Sequence, residues 1–87
     1  MYHVVIKAHI DKIFRKLSRK NPKQMQIIYK KLAEVCKNPY RYKPLKKPLQ
    51  SKRRVHIDSS FVIVYSVDED NKTITVEEYD HHDNMYK

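Results

Sequence analysis

The spacing of apolar residues divides the chain into segments with different periods. Tyr2 to Lys7 is rich in β-branched and aromatic residues and predicts a strand. From Ile10 onward the period changes: Ile10, Ile13, Phe14 and Leu17 recur at helical spacing, with Lys12, Arg15, Lys16 and Arg19 at the remaining angles. This predicts a short amphipathic helix. A second stripe, Met25, Ile28, Tyr29, Leu32, Val35 and Cys36, follows Asn21-Pro22, where a side-chain cap precedes a proline suited to the first helical turn. That helix should end near Lys37, because a residue before proline avoids the helical basin and Asn38-Pro39 comes next. The two helices should form a hairpin.

Prolines 39, 44 and 48 deny residues 39 to 51 either period, so this stretch is expected to be an extended basic loop carrying Arg41, Lys43, Lys46 and Lys47. Three strands are then expected: Arg53 to Ile57, Phe61 to Val67 and Thr73 to Tyr79. Between them lie the turn-forming stretches Asp58-Ser59-Ser60 and Asp68-Glu69-Asp70-Asn71. An antiparallel meander follows, with the nearly all-apolar middle strand at the sheet centre. His81 to Lys87 is read as a short polar tail. The expected fold class is α+β: an N-terminal strand, a two-helix hairpin and a three-stranded meander, with the helices on one face of a small twisted sheet. One domain, residues 1–87, accounts for the 87 residues.

Composition narrows the function. No apolar run approaches the ~20 residues that cross a bilayer. The opening residues acquire charge too soon for a secretory leader, so a cytoplasmic location is expected. A single cysteine, Cys36, closes no intrachain disulfide. Without glycine, neither a Walker A loop nor a GxGxxG fingerprint can form, and no cofactor is expected.

Charge adds the most. The net +9 is unevenly spread: residues 1–57 carry 17 Lys and Arg against Asp11 and Glu34, whereas residues 58–87 carry Lys72 and Lys87 against eight acids. Such a field on a small body favours a polyanion, RNA or DNA. In a strand Arg54 and His56 share a face, and a guanidinium beside an imidazole suits a phosphodiester. Lys43, Lys46, Lys47, Lys52 and Arg53 could hold phosphates without reading bases. Adjacent His81 and His82 should point to opposite sides, so that one reaches the groove at the sheet's end. Tyr86 could stack on a base or pack the tail. His81, His82 and Asp83 lack zinc-ligand spacing, and no metal is expected.

The order of these segments resembles the RelE/ParE toxin superfamily. The resemblance spans nearly the whole chain. It rests on Asn38-Pro39 before Pro44-Leu45-Lys46, on Arg53-Arg54-Val55-His56-Ile57, on Phe61-Val62-Ile63-Val64-Tyr65, and on the ending His81-His82-Asp83-Asn84-Met85-Tyr86. It implies the toxin of a type II toxin–antitoxin pair, a RelE-like endoribonuclease that cuts mRNA on the ribosome without metal. Arg54 and His56 would then meet the scissile phosphate, and His81, His82 and Tyr86 would match the family's terminal His-Arg segment and tyrosine. Two departures stand out: Val62 occupies the place of the family's central-strand arginine, and His82 that of the terminal arginine. Two other activities fit the same residues: a ParE-like inhibitor of DNA gyrase that does not cleave, and a plain RNA-binding module. The implied partner is an acidic, RelB-like antitoxin landing on Lys12, Arg15, Lys16 and Arg19.

Overall fold

The computed structural model describes residues 1–85. Seven elements follow in order: β1 (His3–Ile6), α1 (Ala8–Lys20), α2 (Pro22–Lys37), β2 (Lys52–Ile57), β3 (Phe61–Asp68), β4 (Thr73–His81) and α3 (His82–Met85). The expected α+β architecture is present. Where the sequence suggested a polar tail, β4 extends two residues beyond Tyr79 and a short helix follows directly.

A single residue joins α1 to α2. The Asn21 side chain accepts from the Gln24 backbone N–H at 3.2 Å, satisfying one donor that a helix start leaves open, and Pro22 has no N–H to satisfy. Ile10 and Phe14 of α1 and Met25, Ile28, Leu32 and Val35 of α2 are buried against one sheet face. Two stripe positions are not in this core: Ile13 is 39% exposed and Tyr29 57%. The sheet covers only part of each helix's circumference, so the flank of each apolar stripe stays in solvent.

The sheet order is β1-β4-β3-β2. β2, β3 and β4 form the antiparallel meander, while β1 adds to the edge of β4 in parallel, with Val4 opposite Ile74. β3 is therefore interior, and both its faces are covered: Ile63 and Tyr65 lie in the helix-side core, and Val62 and Val64 are buried on the other face.

An irregularity in β4 decides what that other face carries. Val64 pairs with Glu78 but Tyr65 pairs with Val76, so Glu77 is an extra residue, a β-bulge. Strict alternation would put Val76 and Tyr79 on opposite faces. The bulge shifts the phase by one, and both enter the helix-side core, where Tyr79 stacks on Phe61 at 5.1 Å and meets Phe14 edge-on at 5.4 Å. The same shift turns Glu78 and Asp80 to the face that carries Arg54 and His56.

Residues 39 to 51 are not an extended loop. Pro44 bridges Arg53 along the outer edge of β2, and the chain then turns back on itself through Leu49 N–H to the Lys46 carbonyl (2.9 Å) and Lys52 N–H to the Leu49 carbonyl (3.0 Å). Its prolines bar regular structure, but several of its backbone groups find partners in these turns and along β2.

Candidate functional site

Strand alternation sorts the basic segment. Arg53, Val55 and Ile57 point toward the helices; Arg54 and His56 point to the open face. The loop forms the next wall. Its backbone is tied to β2 by Leu45 N–H to the Lys52 carbonyl (2.8 Å) and Arg54 N–H to the Lys43 carbonyl (3.3 Å), which sets Leu45, Lys46, Lys47 and Leu49 beside Arg54. The third wall is the start of α3, where His82 N–H donates to the Ser60 carbonyl at 2.7 Å. An open cleft of about 570 Å³ results, lined by Leu45, Lys46, Lys47, Leu49, Arg54, His56 and His82. The rings of His56 and His82 lie 5.6 Å apart between centroids.

Five sequence-selected residues thus converge: Arg54, His56, His82, Lys46 and Lys47. The others do not. His81 continues the Tyr79 face and sets its ring edge-on to Phe61 at 5.4 Å, on the side away from Arg54 and His56. Of the two adjacent histidines, expected to diverge, His82 is the one that reaches the cleft, and the placing of His81 beside Arg54 and His56 that the resemblance implied is corrected. Arg53 points the wrong way for a phosphate contact in the cleft. Its guanidinium donates to the Tyr42 carbonyl at 2.7 Å and lies 5.0 Å over the Tyr40 ring, so it fastens the loop instead. Lys43 is exposed outside the cleft lining, and Lys52 lies two residues before Arg54, near Glu77, whose carboxyl is held down mainly by its bond to the Lys7 ammonium, with the Lys52 charge adding to it. Tyr86 lies outside the described residues.

Leu45 and Leu49 also line the cleft, which nothing in their sequence context signals. They supply an apolar wall beside the cations. Val62 is fully buried between its strand neighbours His56 and Asp80 and does not line the cleft, so it offers no ligand. Carboxylates that seem remote in sequence are near in space: Glu78 and Asp80 lie two strands from Arg54 and His56 on the same face, roughly 10 Å away at ordinary strand spacing. Glu78 pairs with Nε2 of His9 at 3.0 Å. Asp80 accepts from Asn84 Nδ2 at 3.0 Å and from the His81 N–H at 2.7 Å, and these donors hold its carboxyl below the usual range. The open face thus has a cationic half on β2 and the loop, a buried apolar strip on β3, and an anionic half on β4.

A second basic surface lies on α1. Lys12, Arg15, Lys16 and Arg19 surround the exposed Ile13 in a shallow depression of about 280 Å³. Arg15 also pairs with Asp11 at 2.9 Å, one helical turn away. Among the described residues no group of three or more His, Cys, Asp or Glu side chains is arranged to hold a metal ion, and no helix is long and apolar enough to cross a membrane.

The fold has solved counterparts. A YoeB/ParE toxin from Agrobacterium tumefaciens superposes with a TM-score of 0.80 at 15% identity, covering 92% of this chain and 98% of that one. The toxin–antitoxin complex RelBE2 from Mycobacterium tuberculosis gives a TM-score of 0.76 at 19% identity, covering 93% and 98%. These place the architecture in the class of RelE, YoeB and ParE toxin folds. Sequence goes further. Residues 2–86 match the family described as the ParE toxin of the type II toxin-antitoxin system, parDE, and the chain belongs to it. A Methanocaldococcus jannaschii protein carrying the toxin name RelE4 is 49% identical over 87 residues, covering all of this chain and 93% of the relative. The protein is therefore a type II toxin of the RelE/ParE superfamily.

Proposed function

We propose that this toxin is an endoribonuclease that cleaves mRNA in the cytoplasm, on the translating ribosome, without a metal ion. The observation that carries the reading is the convergence of Arg54, His56, His82, Lys46 and Lys47 on one open cleft. RNA supplies its own nucleophile, the 2′-hydroxyl. One imidazole takes the 2′-hydroxyl proton and the other gives a proton to the departing 5′-oxygen. Arg54 and the two loop lysines neutralise the charge that builds on phosphorus. His56 and His82 lie on different walls of the cleft, so their imidazoles can reach one phosphodiester from different directions. By the family resemblance, His82 takes the place of a terminal arginine here, exchanging a fixed charge for a group that can give or take a proton. The partner is an acidic antitoxin whose helix lands on α1, with an apolar side chain over Ile13 and carboxylates beside Lys12, Arg15, Lys16 and Arg19.

A second reading has its own support. The matching family is described by the ParE toxin, and a buried Val62 leaves β3 without a cation facing the cleft. A toxin of that kind would inhibit DNA gyrase by occupancy. The two readings separate in paired assays on the purified toxin: mapping of mRNA ends in a translating extract, and supercoiling by gyrase. Cut mRNA with unaffected supercoiling supports the endoribonuclease; intact mRNA with blocked supercoiling supports the gyrase inhibitor.

A further inference from the structure

We infer that Asp80 is a positioning residue for His82, locking the turn from β4 into α3 so that the imidazole faces His56 across the cleft; this rests on the endoribonuclease reading for its catalytic consequence, though not for its geometry. Helix α3 follows β4 without a linker. It is four residues long, far below the length at which a helix sustains itself in water. Contacts around the turn replace the missing helical cooperativity, among them the Asp83 N–H donating to His81 Nδ1 at 3.3 Å. Asp80 Oδ1 accepts from the His81 N–H at 2.7 Å and from Asn84 Nδ2 at 3.0 Å, joining the last residues of the strand to the far side of the helical turn. The His82 N–H donates to the Ser60 carbonyl at 2.7 Å, which ties the same turn to the β2–β3 connection. Ser60 is itself placed by its N–H to Asp58 Oδ1 at 2.7 Å, and Asp58 takes a left-handed φ of 49° to close that connection.

The geometry explains why a carboxylate belongs at position 80. β4 alternates, so Asp80 and His81 diverge: the histidine packs on Phe61 and the aspartate emerges on the cleft face. One acceptor there meets the two donors that define the bend, and the residue after the bend is His82. Deleting the acceptor leaves the Asn84 amide without its partner and frees the turn to fray. His82 would then sample positions in which its ring no longer lies 5.6 Å from His56. Asp80 does not touch the reacting phosphate in this scheme. Its carboxylate would repel it, and its hydrogen bonds go to the His81 N–H and the Asn84 amide.

Four variants of the full chain test this: Asp80→Ala, Asp80→Asn, Asn84→Ala and His82→Ala, together with the Asp80→Ala/His82→Ala double variant. The structural readout is the proton NOE between the His56 and His82 rings. The functional one is the pH profile of RNA cleavage. Asp80→Ala and Asn84→Ala should lose the NOE and roughly 10- to 100-fold in rate, the scale set by misplacing a reacting group by about an ångström. Asp80→Asn retains an Oδ1 acceptor and should retain the NOE. The double variant should be no slower than His82→Ala alone, because Asp80 acts through His82. The Asp80→Ala pH profile should take the shape of the His82→Ala profile. A general loss of folded protein would instead scale the wild-type curve down at every pH. An intact NOE in both Asp80→Ala and Asn84→Ala, or a double variant much slower than His82→Ala, overturns the inference. If Asp80→Ala lost the NOE while His82→Ala cut RNA at the wild-type rate, the positioning role would stand and the catalytic reading of the cleft would fall.

Discussion

Replacing Tyr65 by phenylalanine tests how the loop wall of the cleft is attached. Tyr65 lies in the interior strand with no exposed surface, and its hydroxyl donates to the Pro39 carbonyl at 2.6 Å. Pro39 begins the loop that carries Lys46 and Lys47, so this bond fixes the loop's origin to the sheet centre. The substitution keeps the ring and removes only the donor, leaving a buried carbonyl without this partner. Such a loss costs about 1–3 kcal/mol. In a domain of this size that is a fall in Tm of about 4–8 °C per kcal/mol. The pH dependence gives a second signature. Burial pushes the Tyr65 hydroxyl up to about 12, above its ordinary value of 10.0. The native state therefore keeps the proton after the unfolded chain has begun to lose it. This contribution is complete below pH ~10 and disappears as pH rises toward 12. Thermal melts of both proteins from pH 7 to 12 should show a gap of several degrees at neutrality that narrows on the alkaline side. Equal melting temperatures at pH 7, with curves that stay parallel to pH 12, would refute the reasoning.

Other expectations follow from the same contacts. Glu69 accepts from the hydroxyls of Tyr2 and Tyr40, both at 2.7 Å through Oε2, and pairs with Lys72; these partners, Lys72 foremost, hold its carboxyl down to about 2. Its folded-state pKa is depressed, so its contribution is present above pH ~4.5 and is lost as pH falls toward 2; Glu69→Gln should flatten that acid limb in melts across the range. Arg53→Ala should weaken RNA binding by loosening the loop while leaving the slope against log[salt] unchanged, whereas Lys46→Ala should reduce that slope by about 0.7, the single-strand value per phosphate contact. Glu78→Lys should tighten RNA binding at low salt by extending the cationic half across β4, as a titration by fluorescence anisotropy would show. Ile13→Asp should leave the Tm nearly unchanged, because the side chain is 39% exposed, yet weaken antitoxin binding at least ~10-fold by calorimetry.

The parts of the fold that were legible in sequence are those governed by a period. Helix α2 could be read from its stripe and from Asn21-Pro22, and the shared face of Arg54 and His56 from alternation alone. What escaped depended on breaks in a period or on side chains that serve the scaffold. The bulge at Glu77 is silent in sequence, yet it decides that Tyr79 goes inward and that Asp80 and Glu78 share the face of Arg54. Arg53 reads like Arg54 in composition, and only its neighbours Tyr40 and Tyr42 show that it is spent on the loop. Choosing His82 over His81 required knowing that β4 runs through His81 before the chain bends. Leu45 and Leu49 resemble incidental loop residues until the turns between Lys46 and Lys52 bring them beside the cations.

The central claim is that the imidazoles and cations of this cleft act together on a phosphodiester in RNA. Single-turnover cleavage of a ribosome-bound mRNA by wild-type protein and by Arg54→Ala, His56→Ala and His82→Ala tests it most directly. Loss of either histidine should slow cleavage by ~10²–10⁴-fold, and loss of Arg54 by ~10²–10³-fold, with melting temperatures close to wild type. Cleavage by all three variants at the wild-type rate would contradict the account.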